Sequence, residues 1–214
     1  MGIQERKIRE FEQRGQEILD AALSLFGSDD WEQVTVEQIA KKSEVGKGTI
    51  YKHFESKNEI YVRLAIRFQK RMASEIGLLD QSMPVLDRLR CYIRAAWEMH
   101  LSSKELHRVF MFCSRAEFRA QLPSNLLTEM QEAESRVSIF THQLMVEGIE
   151  QGLFPNKPIN LLIFGLQSMF WGAIQLIWSG YLGDIDHEQH LEEVTSFMIA
   201  GLVHHNQPIP QTKD

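Results

Sequence analysis

Cysteine is scarce: Cys91 and Cys113 are the two in 214 residues, and both fall in segments with helical spacing. That excludes a disulfide scaffold and leaves two reduced, buried thiols. Strand signals are almost missing, as is any internal repeat. No glycine-rich phosphate loop, HExxH pair or nucleophile elbow occurs, so no catalytic residue, cofactor or metal is expected, and the chain is not read as an enzyme. The pairs His187 with His190 and His204 with His205 lack carboxylates or cysteines at ligand spacing, and are read as surface histidines. The first twenty residues are crowded with charge and have no apolar stretch of signal-peptide type, so a cytoplasmic location is expected.

What is present is an ordinary globular composition, 43% hydrophobic and 24% charged, with a net charge of −6. The charge is unevenly spread. From Lys41 to Arg71 nine basic residues stand against Glu44, Glu55 and Glu59, which is +6, so the remainder sums to −12. A basic segment on an acidic body is the electrostatic footprint of a nucleic-acid-binding module attached to something else, or equally of a solvated helical face.

Helical periodicity runs from end to end and predicts an all-α fold of about nine helices. Ile18, Leu19, Ala22, Leu23, Leu25 and Phe26 form one stripe over residues 14–26, stopped by Gly27 and the polar run after it. Thr35 with Gln38, and Ser56 with Glu59, read as capping boxes that open helices. Pro84 suits the first turn of the next helix, and a shorter one is expected over 103–118. Ser124 caps a long helix that Gly152 ends in the left-handed conformation. Pro158 opens the most apolar segment, Asp186 caps the last helix, and the tail from Gln207 to Asp214 is expected to fray. Between Leu161 and Tyr181 there is no charge, a length that would span a bilayer. Gln167, Ser168, Gln175 and Ser179 within it, and the want of a second such segment, favour a helix buried against a partner chain over a membrane helix.

Residues 35–60, TVEQIAKKSEVGKGTIYKHFESKNEI, carry the functional signal. Two short helices are separated by the turn Ser43 to Gly46, with Val45 as an apolar plug. On a wheel of about 100° per residue, Ile50 and Phe54 face inward, Gly48, Thr49 and Lys52 face outward, and Tyr51 and His53 flank that outer face. Lys47 stands between Gly46 and Gly48, so the second helix begins as nearly bare backbone. Such a helix fits the major groove of DNA. Lys57, at the start of the following helix, adds a cation where free N–H groups already favour a phosphate.

Over residues 14–61 the chain resembles TetR-family transcriptional regulators. The matching pattern is R-x-x-I-L-x-A-A-L-x-L-F from Arg14 to Phe26, T-V-x-x-I-A from Thr35 to Ala40, and V-x-K-G-T-I-Y-x-H-F-x-S-K-x-E from Val45 to Glu59. The resemblance implies DNA contacts on Lys47, Gly48, Thr49, Tyr51, Lys52, His53 and Lys57, with Thr35 and Val36 near the backbone. It also implies a homodimer on a partly palindromic operator, and a repressor released by a small-molecule effector. Two positions depart from the family: Glu44 replaces a turn glycine, at a cost of about 1 kcal/mol if the backbone there is left-handed, and Asp30 replaces another. The implied organisation is a basic arm (1–13), a three-helix DNA-binding head (14–61), a ligand-binding and dimerisation domain (62–206) and a tail (207–214).

In the larger domain, Trp97, Phe110, Phe112, Phe140, Phe170, Trp171 and Trp178 either line a cavity for a hydrophobic or amphipathic effector or are plain core. His100, Gln167, Gln175 and His142 are polar groups on otherwise apolar helices, of which one or two are expected to orient a ligand. Gly165, Ser168 and Gly172 form a small-residue stripe for the dimer interface, with Phe197 and Gly201 on the last helix. The competing reading is a helical small-molecule-binding protein or enzyme on the same fold that no longer regulates transcription.

Overall fold

A computed structural model of the chain describes residues 2–204. The tail at 207–214 and His205 lie outside the described residues. Among the described residues there are ten α-helices, one 3₁₀ turn and no strand. The helices are α1 (Ile3–Leu25), α2 (Val36–Lys42), α3 (Lys47–His53), α4 (Lys57–Gly77), α5 (Val85–Leu101), α6 (Lys104–Cys113), α7 (Ala116–Arg119), α8 (Ser124–Glu150), α9 (Ile159–Trp178) and α10 (His187–Val203); the 3₁₀ turn is Trp31–Gln33.

The punctuation read from sequence is where the helices turn over. Thr35 Oγ1 accepts from the Gln38 amide at 3.3 Å while Gln38 returns to the Thr35 amide at 2.7 Å. Ser56 accepts from the Glu59 amide, but the Glu59 carboxylate goes to the Glu55 amide and to Arg63, so that box closes one residue early. Asp186 accepts from the Gln189 amide, and Gly152 has φ +71°. Asp30, at φ −90°, has no need of glycine's freedom.

Two segments differ from expectation. The single helix expected over 103–118 is two, α6 and α7. Ser114 bonds back to the Phe110 carbonyl at 3.0 Å, and the Arg119 guanidinium takes the Cys113 carbonyl at 3.2 Å, so the backbone ladder stops between them. The basic arm is not an arm: α1 begins at Ile3, with the Gly2 amide capped by the Glu5 carboxylate and ion pairs Arg6–Glu10 and Arg14–Glu17 along its surface.

The chain divides into two compact units, and the division differs from the boundary expected at residue 61. The first unit holds the described residues up to Arg71 together with Ser103–Glu134. The reason is the core. Ile18, Ala22, Phe26, Ile39, Ile50 and Tyr61 of the head share one buried cluster with Val109, Cys113, Phe118, Leu126 and Met130. Trp31, Tyr61 and Phe118 of this cluster form a mostly edge-to-face aromatic set with the partly buried Phe112, with centroids 4.7–6.4 Å apart. At about 1.5–3 kcal/mol for each large side chain buried, α6, α7 and the first half of α8 are integral to the head.

The second unit holds Met72–Ser102 and the described residues from Ser135 onward. Trp97 of α5 joins three helices: it stacks on Phe170 of α9 with centroids 4.0 Å apart and donates Nε1–H to Thr195 Oγ1 of α10 at 2.9 Å. Arg88 is buried, and reaches the Met83 carbonyl, Gln81 and the Glu147 carboxylate, which secures the loop before α5 to α8.

Candidate nucleic-acid interface

The interface is built on α2, its turn and α3, all within the first unit. The turn is a Schellman motif: Glu44 N–H donates to the Lys41 carbonyl at 3.3 Å and Val45 N–H to the Ala40 carbonyl at 3.0 Å. Glu44 sits at φ +55°, the one described non-glycine residue with positive φ. Val45 then packs against the head core, which sets the crossing of α3 over α2.

On α3, Ile50 and Phe54 are buried, as the wheel requires. Lys47, Gly48, Tyr51 and Lys52 are exposed, Tyr51 at 48%; Thr49 and His53 are half-buried. A large phenol left this exposed on a short helix is available to a partner. Gly46 and Gly48 flank Lys47, and a Cβ at either would meet no atom within 4 Å. Gly46 has φ −72° and Gly48 no positive φ, so nothing in the folded chain itself requires glycine there. The helix start is bare toward the outside.

The cations are not all idle. Lys47 pairs with Glu37 of α2, and their hydrogen bond lowers the Glu37 pKa and raises that of Lys47. Its ammonium also stands 5.9 Å from the Tyr51 ring centroid. Lys57 donates to the carbonyl oxygens of Glu32 at 2.6 Å and Val34 at 2.8 Å and lies over the Tyr61 ring; burial lowers its pKa. His53 stacks on Phe11 of α1, centroids 3.9 Å apart and rings 22° from parallel; burial, then the charge of Arg14, lowers its pKa. Thr35 is exposed and Val36 half-buried at the start of α2. Phe11 was missed by sequence reasoning, since it lies about two turns before Ile18 and looks like an isolated aromatic among charges.

The candidate pocket residues do not come together as one wall. Trp97, His100, Phe170 and Trp171 do form one aromatic cluster in the second unit. Phe140 packs on Tyr92, and Phe110 belongs to the first unit, against Phe68. Trp178 is half-buried, whereas His142 and Gln175 are exposed. A cavity of about 50 Å³ lies elsewhere in the second unit, among Leu89, Tyr92, Thr141, Leu144, Met145, Ile163, Leu166 and Gln167. Gln167 alone of the candidate pocket residues lines it. Burial pushes the Tyr92 phenol up to about 12, so every lining group is uncharged at neutral pH. Packing leaves such a cavity over, and no local pattern announces it.

Gly165, Ser168, Gly172, Phe197 and Gly201 are all exposed, beside Leu161, Phe164, Met169 and Leu176 of α9. Among the described residues α9 is the one helix long and apolar enough to cross a membrane, and no group of three metal-ligating side chains occurs.

Residues 18–64 match the family described as bacterial regulatory proteins, tetR family. The HTH-type transcriptional regulator YhgD of Bacillus subtilis is 22% identical over 186 residues, covering 86% of this chain and 94% of that protein. The HTH-type transcriptional repressor KstR2 of Mycolicibacterium smegmatis is 22% identical over 192 residues, 88% of this chain and 90% of that one. In fold, the chain is similar to the fatty acid degradation regulator FadR of Bacillus halodurans, with a TM-score of 0.68 at 19% identity, covering 88% of this chain and 96% of that one.

Proposed function

We infer that this chain, a DNA-binding transcriptional regulator that belongs to the tetR family of bacterial regulatory proteins, is a cytoplasmic homodimeric repressor that reads DNA with α3. The supporting observation is the bare start of α3. Glycine inside a helix costs about 0.5–1 kcal/mol relative to alanine, and Gly48 has open space where a Cβ would go. Close approach to base edges or phosphates explains a glycine that the fold itself does not need. Tyr51, Lys52 and Thr49 then face the groove, and Lys47 exchanges Glu37 for a phosphate.

The exposed apolar residues of α9 and α10, interleaved with Gly165, Ser168, Gly172 and Gly201, form the dimer surface, so that two heads meet a partly palindromic operator about one helical turn apart. The effector is small and uncharged, and it enters between α5, α8 and α9. The cavity there has room for no more than a few water-sized groups and is below the ~300–1,000 Å³ of a drug-sized site, so binding widens it. That widening is the differential interaction through which an effector favours the state with lower DNA affinity. No residue of this mechanism performs catalysis.

Fluorescence anisotropy with the gene's own upstream region tests the reading. Gly48→Ala is expected to raise stability by about 0.5–1 kcal/mol while weakening binding at least tenfold. Unchanged affinity in the stabilised variant would remove the argument from the bare helix start. Phe164→Glu with Phe197→Glu is expected to give a folded monomer by sedimentation, with operator affinity lost.

A further inference from the structure

The apolar stripe of α1 continues past the packed head. Ile18, Ala22 and Phe26 are fully buried, and at about 100° per residue Gly15, Phe11 and Ile8 prolong the same stripe toward the N-terminus. Yet Ile8 is 55% and Phe11 51% exposed. This overhang is held beside α3. The Phe11 ring stacks on His53 in the last turn of that helix, and Gly15 lies alongside the imidazole, with His53 Nδ1 3.5 Å from where a Cβ would stand in ordinary contact.

Charge on the overhang is sorted by face. Lys7 and Arg14 lie within about 60° of Phe11, while Glu5, Glu10 and Glu12 are turned about 100° or more away from it. Arg6 engages Glu10 and Arg14 pairs with Glu17, both at exposed positions; Lys7 has no ion-pair partner among the described residues. The result is a narrow face of two cations and two exposed apolar side chains beside His53 of α3, with Glu17, the partner of Arg14, as its nearest carboxylate.

We propose that Lys7, Ile8, Phe11 and Arg14 form a second DNA surface of the head. They lie along the duplex backbone beside the groove that α3 enters, with the cations on phosphates and the apolar pair against the sugars. The inference rests on the reading of α3 as the groove-entering helix. A polyanion fits a face on which the cations outnumber the one flanking acid, whereas a second copy of the same face would set like charges against each other. The Phe11–His53 stack makes His53 a positioning residue, which fixes the angle between α1 and the reading helix.

The experiment is the salt dependence of binding to the gene's upstream region by the full chain, for wild type, Lys7→Gln/Arg14→Gln and Phe11→Ser, with the fold checked by circular dichroism. Each lost phosphate contact flattens the slope of log affinity against log salt by about 0.9, so the double variant is expected to lose about 1.8 per head, with more than tenfold weaker binding at 0.1 M salt. Phe11→Ser is expected to weaken binding with the slope unchanged. An unaltered slope in the folded double variant, with Tyr51→Ala still abolishing binding, overturns this inference and leaves the α3 reading standing. A Phe11→Ser variant that changes oligomeric state instead of affinity also overturns it, assigning the face to contact between copies. If wild type itself shows no salt-dependent binding, the α3 reading fails and this inference goes with it.

Discussion

The Lys57 ammonium lies 2.8 Å from the Val34 carbonyl oxygen and 2.6 Å from that of Glu32, where it ties the first turn of α4 to the end of the 3₁₀ turn. A lysine at a helix N-terminus is well placed for a phosphate, but here two of its three hydrogens are already given to backbone acceptors. Lys57→Met keeps the apolar stem and removes the donors, and is expected to cost about 1–2 kcal/mol in urea unfolding. The salt slope of DNA binding should stay as in wild type. A slope lower by about 0.9 per head, with stability intact, would instead show that Lys57 leaves the carbonyls for a phosphate.

Glu44 occupies the left-handed position of the Schellman motif, where a side chain strains the backbone and glycine does not. Glu44→Gly is therefore expected to stabilise the protein by about 1 kcal/mol, read as a higher denaturation midpoint at constant m-value. A lower midpoint would mean that the Glu44 side chain makes a compensating contribution in solution.

The parts of this structure that were legible in sequence are those settled over three or four residues. The Thr35–Gln38 box, the Asp186 cap, the left-handed Gly152 and the inward pair Ile50 and Phe54 each follow from local backbone geometry. The start of α1 escaped because over its first eleven residues the stripe thins to Ile8 and Phe11 among charged residues, and a cap and surface ion pairs hold the helix. The partners of Lys57 lie 23 and 25 positions away, and no spacing rule reaches so far. The same holds for Val109, Phe118 and Met130, whose membership of the head core is a tertiary fact. Residue type alone marks the aromatics as pocket candidates, yet Trp97 and Phe170 satisfy each other by stacking. The void forms instead where Leu89, Leu144 and Ile163 fail to interdigitate fully.

Gly148 of α8 carries the ring of Phe154 directly on its Cα, and any Cβ there would overlap the ring carbons. The chain turns back at this point, with Leu153 and Phe154 amides both donating to the Gly148 carbonyl at 2.9 and 3.0 Å. Phe154 is buried and cannot swing aside without opening that turn. Gly148→Ala is expected to destabilise by about 1–3 kcal/mol or more, although alanine is the better helix former. Adding Phe154→Ala should cost less in the Gly148→Ala background than in wild type, because the clash is then already relieved. Additive losses in a denaturation cycle would place the strain elsewhere.

His107 of α6 is held to a pKa of about 4 by burial, against an ordinary value near 6.5. Its folded pKa is the lower one, so between these values the unfolded chain binds the proton and the native chain does not. Stability is therefore complete above about pH 6.5 and falls as pH drops toward 4, with a slope of at most about 1.4 kcal/mol per pH unit from this group. With its partial exposure allowed for, the loss by pH 4 is about 2 kcal/mol. The lowered pKa of His53 acts in the same direction, whereas the lowered pKa values of Glu37 and Asp80 matter only below about pH 4.5. Comparing urea unfolding at pH 7.0 and 5.0 isolates the histidines from the acids. His107→Gln should show a smaller drop across that interval than wild type, and an equal drop would mean that the imidazole is protonated in the native state.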